Sequence, residues 1–193
     1  MSLTPGILAF AGSTRKESFN KKLVQIAVHG AREAGAEVTV IDLKDYPLPL
    51  FDEDLEASDG LPPHALALKK LFLAHQGFLI ASPEYNSSIT AVLKNTLDWI
   101  SRPVPGEAPL AAFQGKVASL LSASPGALGG LRGLVHLRAV LGNIGVIVLP
   151  DQIAVSKAHE AFDGGGSLKD SKQQASVQSL GRTLAETVRR LIS

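Results

Sequence analysis

Gly12-Ser13-Thr14-Arg15-Lys16-Glu17-Ser18-Phe19-Asn20 stands between a short apolar run and an amphipathic segment. If a strand turns into a helix here, the helix's unpaired N–H groups and positive dipole end face whatever the loop holds. The loop adds hydroxyls at Ser13, Thr14 and Ser18, a guanidinium at Arg15 and an amide at Asn20. Such donors can wrap a terminal phosphate dianion from several sides. Only one of the three glycines of a dinucleotide fingerprint is here, and the Gly-Lys-Ser/Thr of a P-loop is missing. The loop therefore suits a monophosphate. The competing reading is a polar capping loop with surface cations.

A second loop, Ser82-Pro83-Glu84-Tyr85-Asn86-Ser87-Ser88, sets a carboxylate, an aromatic ring and an amide beside a proline-fixed backbone. Tyr85 offers a face or edge to a flat polar heterocycle, and Asn86 and nearby N–H groups offer hydrogen bonds. A turn with a capping serine is the plainer alternative. A third loop, Ser122-Ala123-Ser124-Pro125-Gly126-Ala127-Leu128-Gly129-Gly130, is small and glycine-rich. It either lets a ring or sugar lie against backbone or simply joins a strand to a helix. A phosphate cradle with a heterocycle loop suggests a mononucleotide.

These loops need elements that bring them together. Unalternated apolar runs occur at Ile7–Ala11, Val38–Ile41, Gly77–Ala81, Val117–Leu121 and Ile144–Leu149. They end at Gly12, Asp42, Ser82-Pro83, Ser122 and Pro150, and they fit strands buried on both faces of a parallel sheet. Between them, apolar residues recur with a helical period. One stripe runs from Leu23 to Ala34, with Gly35 as C-cap; another, Leu66 to Leu73, follows Pro62-Pro63. Ile89, Leu93, Leu97 and Ile100 form a third, capped by Ser87 or Ser88 and stopped by Pro103. Leu131, Leu134, Val135, Arg138 and Leu141 form a fourth, and Val177 to Leu191 the last. Alternating strands and helices imply right-handed crossovers and an α/β fold. The expected architecture is a flavodoxin-like doubly wound five-stranded parallel sheet, order 2-1-3-4-5, with helices on both faces. Ligands then bind beyond the carboxyl ends of the strands, in the loops after Ala11, Asp42, Ser82, Ser122 and Leu149.

A chain of 193 residues fits one domain, 1–193, and Asp163-Gly164-Gly165-Gly166-Ser167 is too short to divide it. With no cysteine there is no disulfide, catalytic thiol or thiolate metal site. Lys+Arg is 19 against Asp+Glu 18, too balanced for counterion-release binding of nucleic acid or for a polybasic membrane patch. Met1-Ser2-Leu3-Thr4-Pro5-Gly6 has no basic n-region, so it reads as a poor secretory signal. No apolar run reaches the ~20 residues that span a bilayer. A soluble, cytoplasmic protein is expected. His29, His64, His75, His136 and His159 lack zinc-site spacing, so no metal is expected. Phe51-Asp52-Glu53-Asp54 reads as a solvated acidic loop which, with Tyr46 to Leu50, could close as a lid.

The combination resembles a known family. Gly12-Ser13-Thr14-Arg15 with Ser18-Phe19-Asn20 looks like the phosphate motif of the NADPH-dependent FMN reductases. Pro83-Glu84-Tyr85-Asn86, followed by Leu93-Lys94-Asn95 and Asp98-Trp99, resembles that family's flavin-ring motif. Ser122-Ala123-Ser124-Pro125-Gly126, Gly129-Gly130, Arg132 and Phe162-Asp163 also fit, so the resemblance covers most of the chain. The branch is similar to bacterial chromate and quinone reductases, with azoreductase and ferric reductase relatives. It implies bound FMN, NAD(P)H as electron donor, and a homodimer or homotetramer. Ser13, Arg15, Ser18 and Asn20 would hold the phosphate, with Thr14 standing where the family has an apolar residue. Pro83, Glu84, Tyr85 and Asn86 would line the ring, with Ser124 and Gly126 near its other edge. No catalytic side chain is expected, because the flavin carries the hydride chemistry. Ping-pong transfer to quinones, chromate or similar small acceptors follows. Glu84 has a competing role, pairing with Arg102 across a subunit interface. Rival functions are a flavodoxin-like electron carrier, a non-catalytic mononucleotide-binding protein, and a hydrolase using Ser124, whose G-x-S-x-G motif is incomplete.

Overall fold

The computed structural model describes residues 4–192. Met1, Ser2 and Leu3, part of the segment read as unlike a secretory signal, lie outside the described residues, as does Ser193. Five strands, β1 (Gly6–Ala11), β2 (Glu37–Asp42), β3 (Gly77–Ala81), β4 (Val117–Ala123) and β5 (Ile147–Val155), form one parallel sheet in the order 2-1-3-4-5, as expected. The helices are α1 (Phe19–Glu33), α2 (Glu53–Asp59), α3 (Pro63–Ala74), α4 (Ala91–Ser101), α5 (Leu131–Asn143), α6 (Ala158–Ala161) and α7 (Ser171–Ile192).

The three inner strands are apolar because both of their faces are covered. β3 and β4 are buried at every residue. Alternate residues feed two cores. Ile7, Leu79 and Leu121 pack with Leu23 and Ala27 of α1 and with Leu180 and Leu184 of α7. Leu8, Phe78 and Leu120 pack with Phe72 of α3, Leu97 of α4 and Leu137 of α5. α1 and α7 touch at backbone distance: a Cβ on Gly30 would lie 1.9 Å from the Gln178 carbonyl oxygen, and one on Gly181 1.9 Å from that of Ala27. Gly35 sits just beyond α1 at φ +79, the left-handed position that glycine fills without strain.

The fifth strand departs most from expectation. Ile144 is the cap of α5, and β5 runs from Ile147 through Pro150 to Val155. Proline is tolerated because β5 is an edge strand that bulges there. Its pairing jumps from Ala118↔Val148 to Leu120↔Gln152, so Leu149, Pro150 and Asp151 stand opposite Ser119 alone. Arg138 of α5 holds the bulge, donating to the carbonyls of Val148 (3.3 Å) and Pro150 (3.3 Å) and to Gln152 Oε1 (3.1 Å). The carboxyl-end loop therefore follows Val155, not Leu149.

Three smaller corrections follow. α4 is capped by Thr90, not Ser87 or Ser88. On α5 the buried residues are Gly133, Leu134, Leu137 and Leu141, while Leu131 and Val135 face outward, as does Leu191 of α7. Phe51 to Asp54 is not a loose lid. Asp52 caps α2 by accepting from the Asp54 N–H, and Phe51 lies edge-on to Trp99 at 5.0 Å. The Pro49 carbonyl accepts from Trp99 Nε1 and Asn95 Nδ2, both at 2.8 Å, which pins the segment to α4. No helix among the described residues is long and apolar enough to cross a membrane.

Candidate functional site

At the carboxyl edge of the sheet, the loops after β1, β3 and β4 meet, and three side chains lace them together. Asn20 ties the first to the third. β4 outruns β3 by two residues in their register, so Ala123 has no strand partner on that side. The Asn20 carboxamide stands in for one: Nδ2 donates to the Ala123 carbonyl (2.8 Å) and Oδ1 accepts from its N–H (2.9 Å). Thr90 ties the first loop to the second. Its hydroxyl donates to the Gly12 carbonyl (2.7 Å) and accepts from the Leu93 N–H (3.2 Å).

Glu84 ties the second loop to the third. Its Oε2 accepts from the Gly133 N–H at 3.0 Å, in the first turn of α5, whose own N-cap is Gly130 and supplies no side chain. Its Oε1 meets the Arg132 guanidinium at 2.8 Å. Burial opposes ionisation of Glu84. The Gly133 N–H and the Arg132 guanidinium outweigh it and hold the carboxyl below its ordinary range. Glu84 is thus a remote helix cap within the same chain. Arg102, its suggested partner, instead pairs with both oxygens of Glu56 at 2.9 and 2.8 Å and lies over the Phe51 ring.

Tyr85 to Ser88 is a two-residue hairpin turn. Tyr85 and Ser88 exchange both backbone hydrogen bonds (2.9 and 3.0 Å), and Asn86 and Ser87 take φ +51 and +66. That is the primed turn in which asparagine is favoured at the first central position. It leaves the Tyr85 ring and Asn86 exposed. Gly129 and Gly130 of the third loop are required by packing. Gly129 and Gly130 have φ +61 and +92, and a Cβ on Gly130 would lie 1.8 Å from Ser122 Oγ. Ser124 Oγ accepts from the Gly126 N–H at 3.3 Å, and the Ser124 N–H donates to the Val155 carbonyl, so this loop is also moored to the end of β5.

The laced loops surround a small cleft of about 60 Å³. It brings together Ser13, Arg15, Ser18 and Asn20 from the first loop, Pro83, Glu84 and Tyr85 from the second, and Ser124 from the third. Phe19, Ala123 and Pro125 complete the wall. Phe19 was carried in the phosphate motif with no role of its own; it stacks on Phe162 at 5.9 Å, a pairing across 143 positions that spacing could not reveal. Asn86 and Gly126 lie outside this wall, and Thr14 points instead to a cleft beside Tyr46 and Asn95.

At about 60 Å³ the cleft is too small to enclose a whole nucleotide, and its place at a helix N-terminus suits a phosphate. Its chemistry is that of an anion cradle. Ser18 is the N-cap of α1, yet its hydroxyl makes no capping bond and the first turn carries no acid, so the positive helix end is not neutralised from within. Ser13 and Ser18 are buried polar residues facing this space. Lys21 is taken by Asp42 at 2.5 Å, which leaves exposed Arg15 as the cation at the mouth. The residues present thus fit a terminal phosphate such as that of FMN. None of the five histidines makes a hydrogen bond to Ser124 among the described residues, and Ser124 lacks the positive φ of a strained elbow.

The model of the NADPH-dependent FMN reductase family matches residues 5–160. The chain belongs to that family. It is therefore an oxidoreductase using FMN and NAD(P)H. An NAD(P)H-dependent FMN reductase of Pseudomonas aeruginosa is 37% identical over 186 residues, covering 96% of each chain. A quinone reductase of Escherichia coli is 35% identical over 147 residues, 74% of this chain and 72% of that one. Among solved structures, the flavoenzyme NAD(P)H:(acceptor) oxidoreductase of Paracoccus denitrificans superposes with a TM-score of 0.80 at 26% identity, covering 97% and 98% of the two chains.

Proposed function

We propose that residues 1–193 form one FMN-binding domain that transfers reducing equivalents from NAD(P)H to quinones, chromate or similar small acceptors by a ping-pong mechanism. The observation that carries this reading is the uncapped N-terminus of α1, which opens into a phosphate-sized cleft beside a ring-sized exposed turn. Bound FMN supplies the hydride chemistry. Ser13, Ser18, Arg15 and the first N–H groups of α1 hold the phosphate. Asn20 acts chiefly by fixing the two loops. The Tyr85 and Ser88 N–H groups are used within the turn, so donors to the ring come from Glu84, Asn86 and Ser87. Arg132 and the N-terminus of α5 would supply positive charge to a flavin held at these loops, favouring its added negative charge. Glu84 holds Arg132 in that position, so the same carboxylate moderates its charge.

Because the cleft is too small to enclose a whole nucleotide, the Pro83–Asn86 turn would leave a bound flavin accessible to the donor and then to the acceptor in turn. Tyr85, Leu128, Leu131 and Val135 are exposed around it, an apolar surface that a second copy would cover in a homodimer or homotetramer. NAD(P)H as donor supports a cytoplasmic location. Initial rates at several fixed quinone concentrations test the mechanism. Parallel double-reciprocal lines in NADPH are expected, with chromate giving the same pattern. Intersecting lines would require both substrates bound at once and would overturn the open-ring reading.

A further inference from the structure

Away from the flavin loops, a cavity of about 390 Å³ opens between the β5 bulge and α7. Ser119 lies at its base. Ser119 is 1% exposed, and its hydroxyl has no hydrogen-bond partner among the described residues. Buried polar groups are almost always satisfied, so an orphaned one beside a cavity marks where a partner would sit. The side chain faces this layer, because its strand neighbours Val117 and Leu121 belong to the α1–α7 core while Ala118 and Leu120 belong to the other. The cavity exists because β5 bulges opposite Ser119, and Arg138 holds that bulge from the α5 side through three hydrogen bonds.

The lining states what it would accept. Leu149, Ile153 and Leu180 supply apolar surface. Ser179 and Thr183, one helical turn apart on α7, supply hydroxyls. Among the described residues no lysine, arginine or histidine lines it and Asp151 is its one charged residue, so phosphates and carboxylates are disfavoured. The volume lies at the low end of the roughly 300–1,000 Å³ typical of small-molecule sites, which suits a single ring. We propose that this cavity binds a neutral, single-ring hydroxylated compound, a phenol or benzenediol. Its ring packs on Leu149, Ile153 and Leu180, and one hydroxyl pairs with Ser119.

The test is a titration of the ¹⁵N-labelled, FMN-saturated protein with resorcinol, followed by amide shifts, with inorganic phosphate as the comparison. Resorcinol should give saturable shifts at Ser119, Gln152, Ile153 and Leu180, and phosphate none there. Ser119→Ala should weaken resorcinol roughly fivefold, the loss of one hydrogen bond, and Arg138→Met should weaken it further by releasing the bulge. The same shifts should appear without FMN, so the inference stands or falls apart from the flavin reading. Shifts confined to the flavin loops, unsaturable shifts, phosphate binding at Ser119, or unaltered affinity in Ser119→Ala would each overturn it.

Discussion

Replacing Glu84 tests whether one carboxylate, far from α5 in sequence, caps that helix and so fixes one side of the site. Two bonds are at stake. The first is the Gly133 N–H, a buried donor in a helix first turn. Losing a cap costs about 1 kcal/mol, and leaving the buried donor unpaired brings the total to about 2–3. The second is the Arg132 pair, whose arginine side chain is 59% exposed, so screening limits it to about 0–1 kcal/mol. Glu84→Ala should therefore lose about 2–4 kcal/mol. Glu84→Gln keeps an acceptor for Gly133 and should lose about 1 or less. At about 2–4 °C per kcal/mol for a chain of this size, thermal melts separate the two. The pH dependence gives an independent sign. The Glu84 carboxyl lies below its ordinary value of 4.5 when folded. Its ionic contribution is thus complete above 4.5 and is lost as pH falls through the lower, folded-state value. The gap between wild type and Glu84→Gln should close in acid. Melting of Glu84→Ala at the wild-type temperature, or a gap that persists well below pH 4.5, would refute the capping role.

Other expectations follow from the same geometry. Gly130→Ala places a Cβ at φ +92 against Ser122 Oγ; left-handed strain and overpacking together cost about 2–5 kcal/mol by urea denaturation. Adding Ser122→Ala should recover part of that, because it removes the nearest atom and a hydroxyl with no partner; an equal loss in the double variant would exclude this contact as the cause. Asn20→Ala orphans both polar groups of Ala123 and should cost about 2–4 kcal/mol, with weaker FMN binding in a fluorescence titration. Arg15→Ala should weaken FMN about 10- to 100-fold through one charge-assisted contact, while riboflavin, which has no phosphate, binds as before; equal effects on both ligands would remove Arg15 from the phosphate site.

The frame was legible because β1, β3 and β4 are covered on both faces, and continuous apolar runs record that directly. β5 was misread because Pro150 looks like a stop, whereas on an edge strand it costs only a ladder bond that the Arg138-held bulge has already surrendered. Helical spacing located α5 but not its buried face: Leu131 and Val135 are apolar and exposed, a pattern that spacing cannot distinguish from core. The loops stood out by composition, the first because it gathers three hydroxyls and a guanidinium where a strand turns into a helix. What composition could not reveal was the lacing. Asn20 with Ala123, Thr90 with Gly12 and Glu84 with Gly133 join positions 103, 78 and 49 residues apart. Their partners are backbone atoms, which every residue type carries and which therefore leave no mark in the sequence.

The central claim is that these three loops hold an FMN that takes its electrons from NAD(P)H. The most direct measurement is the visible absorption spectrum of the purified, FMN-reconstituted protein before and after anaerobic NADPH. A bound-flavin spectrum that bleaches on NADPH addition and recovers when a quinone is added is the predicted result. A protein that retains no flavin after FMN is added, or a bound flavin that neither NADPH nor NADH bleaches, would contradict it.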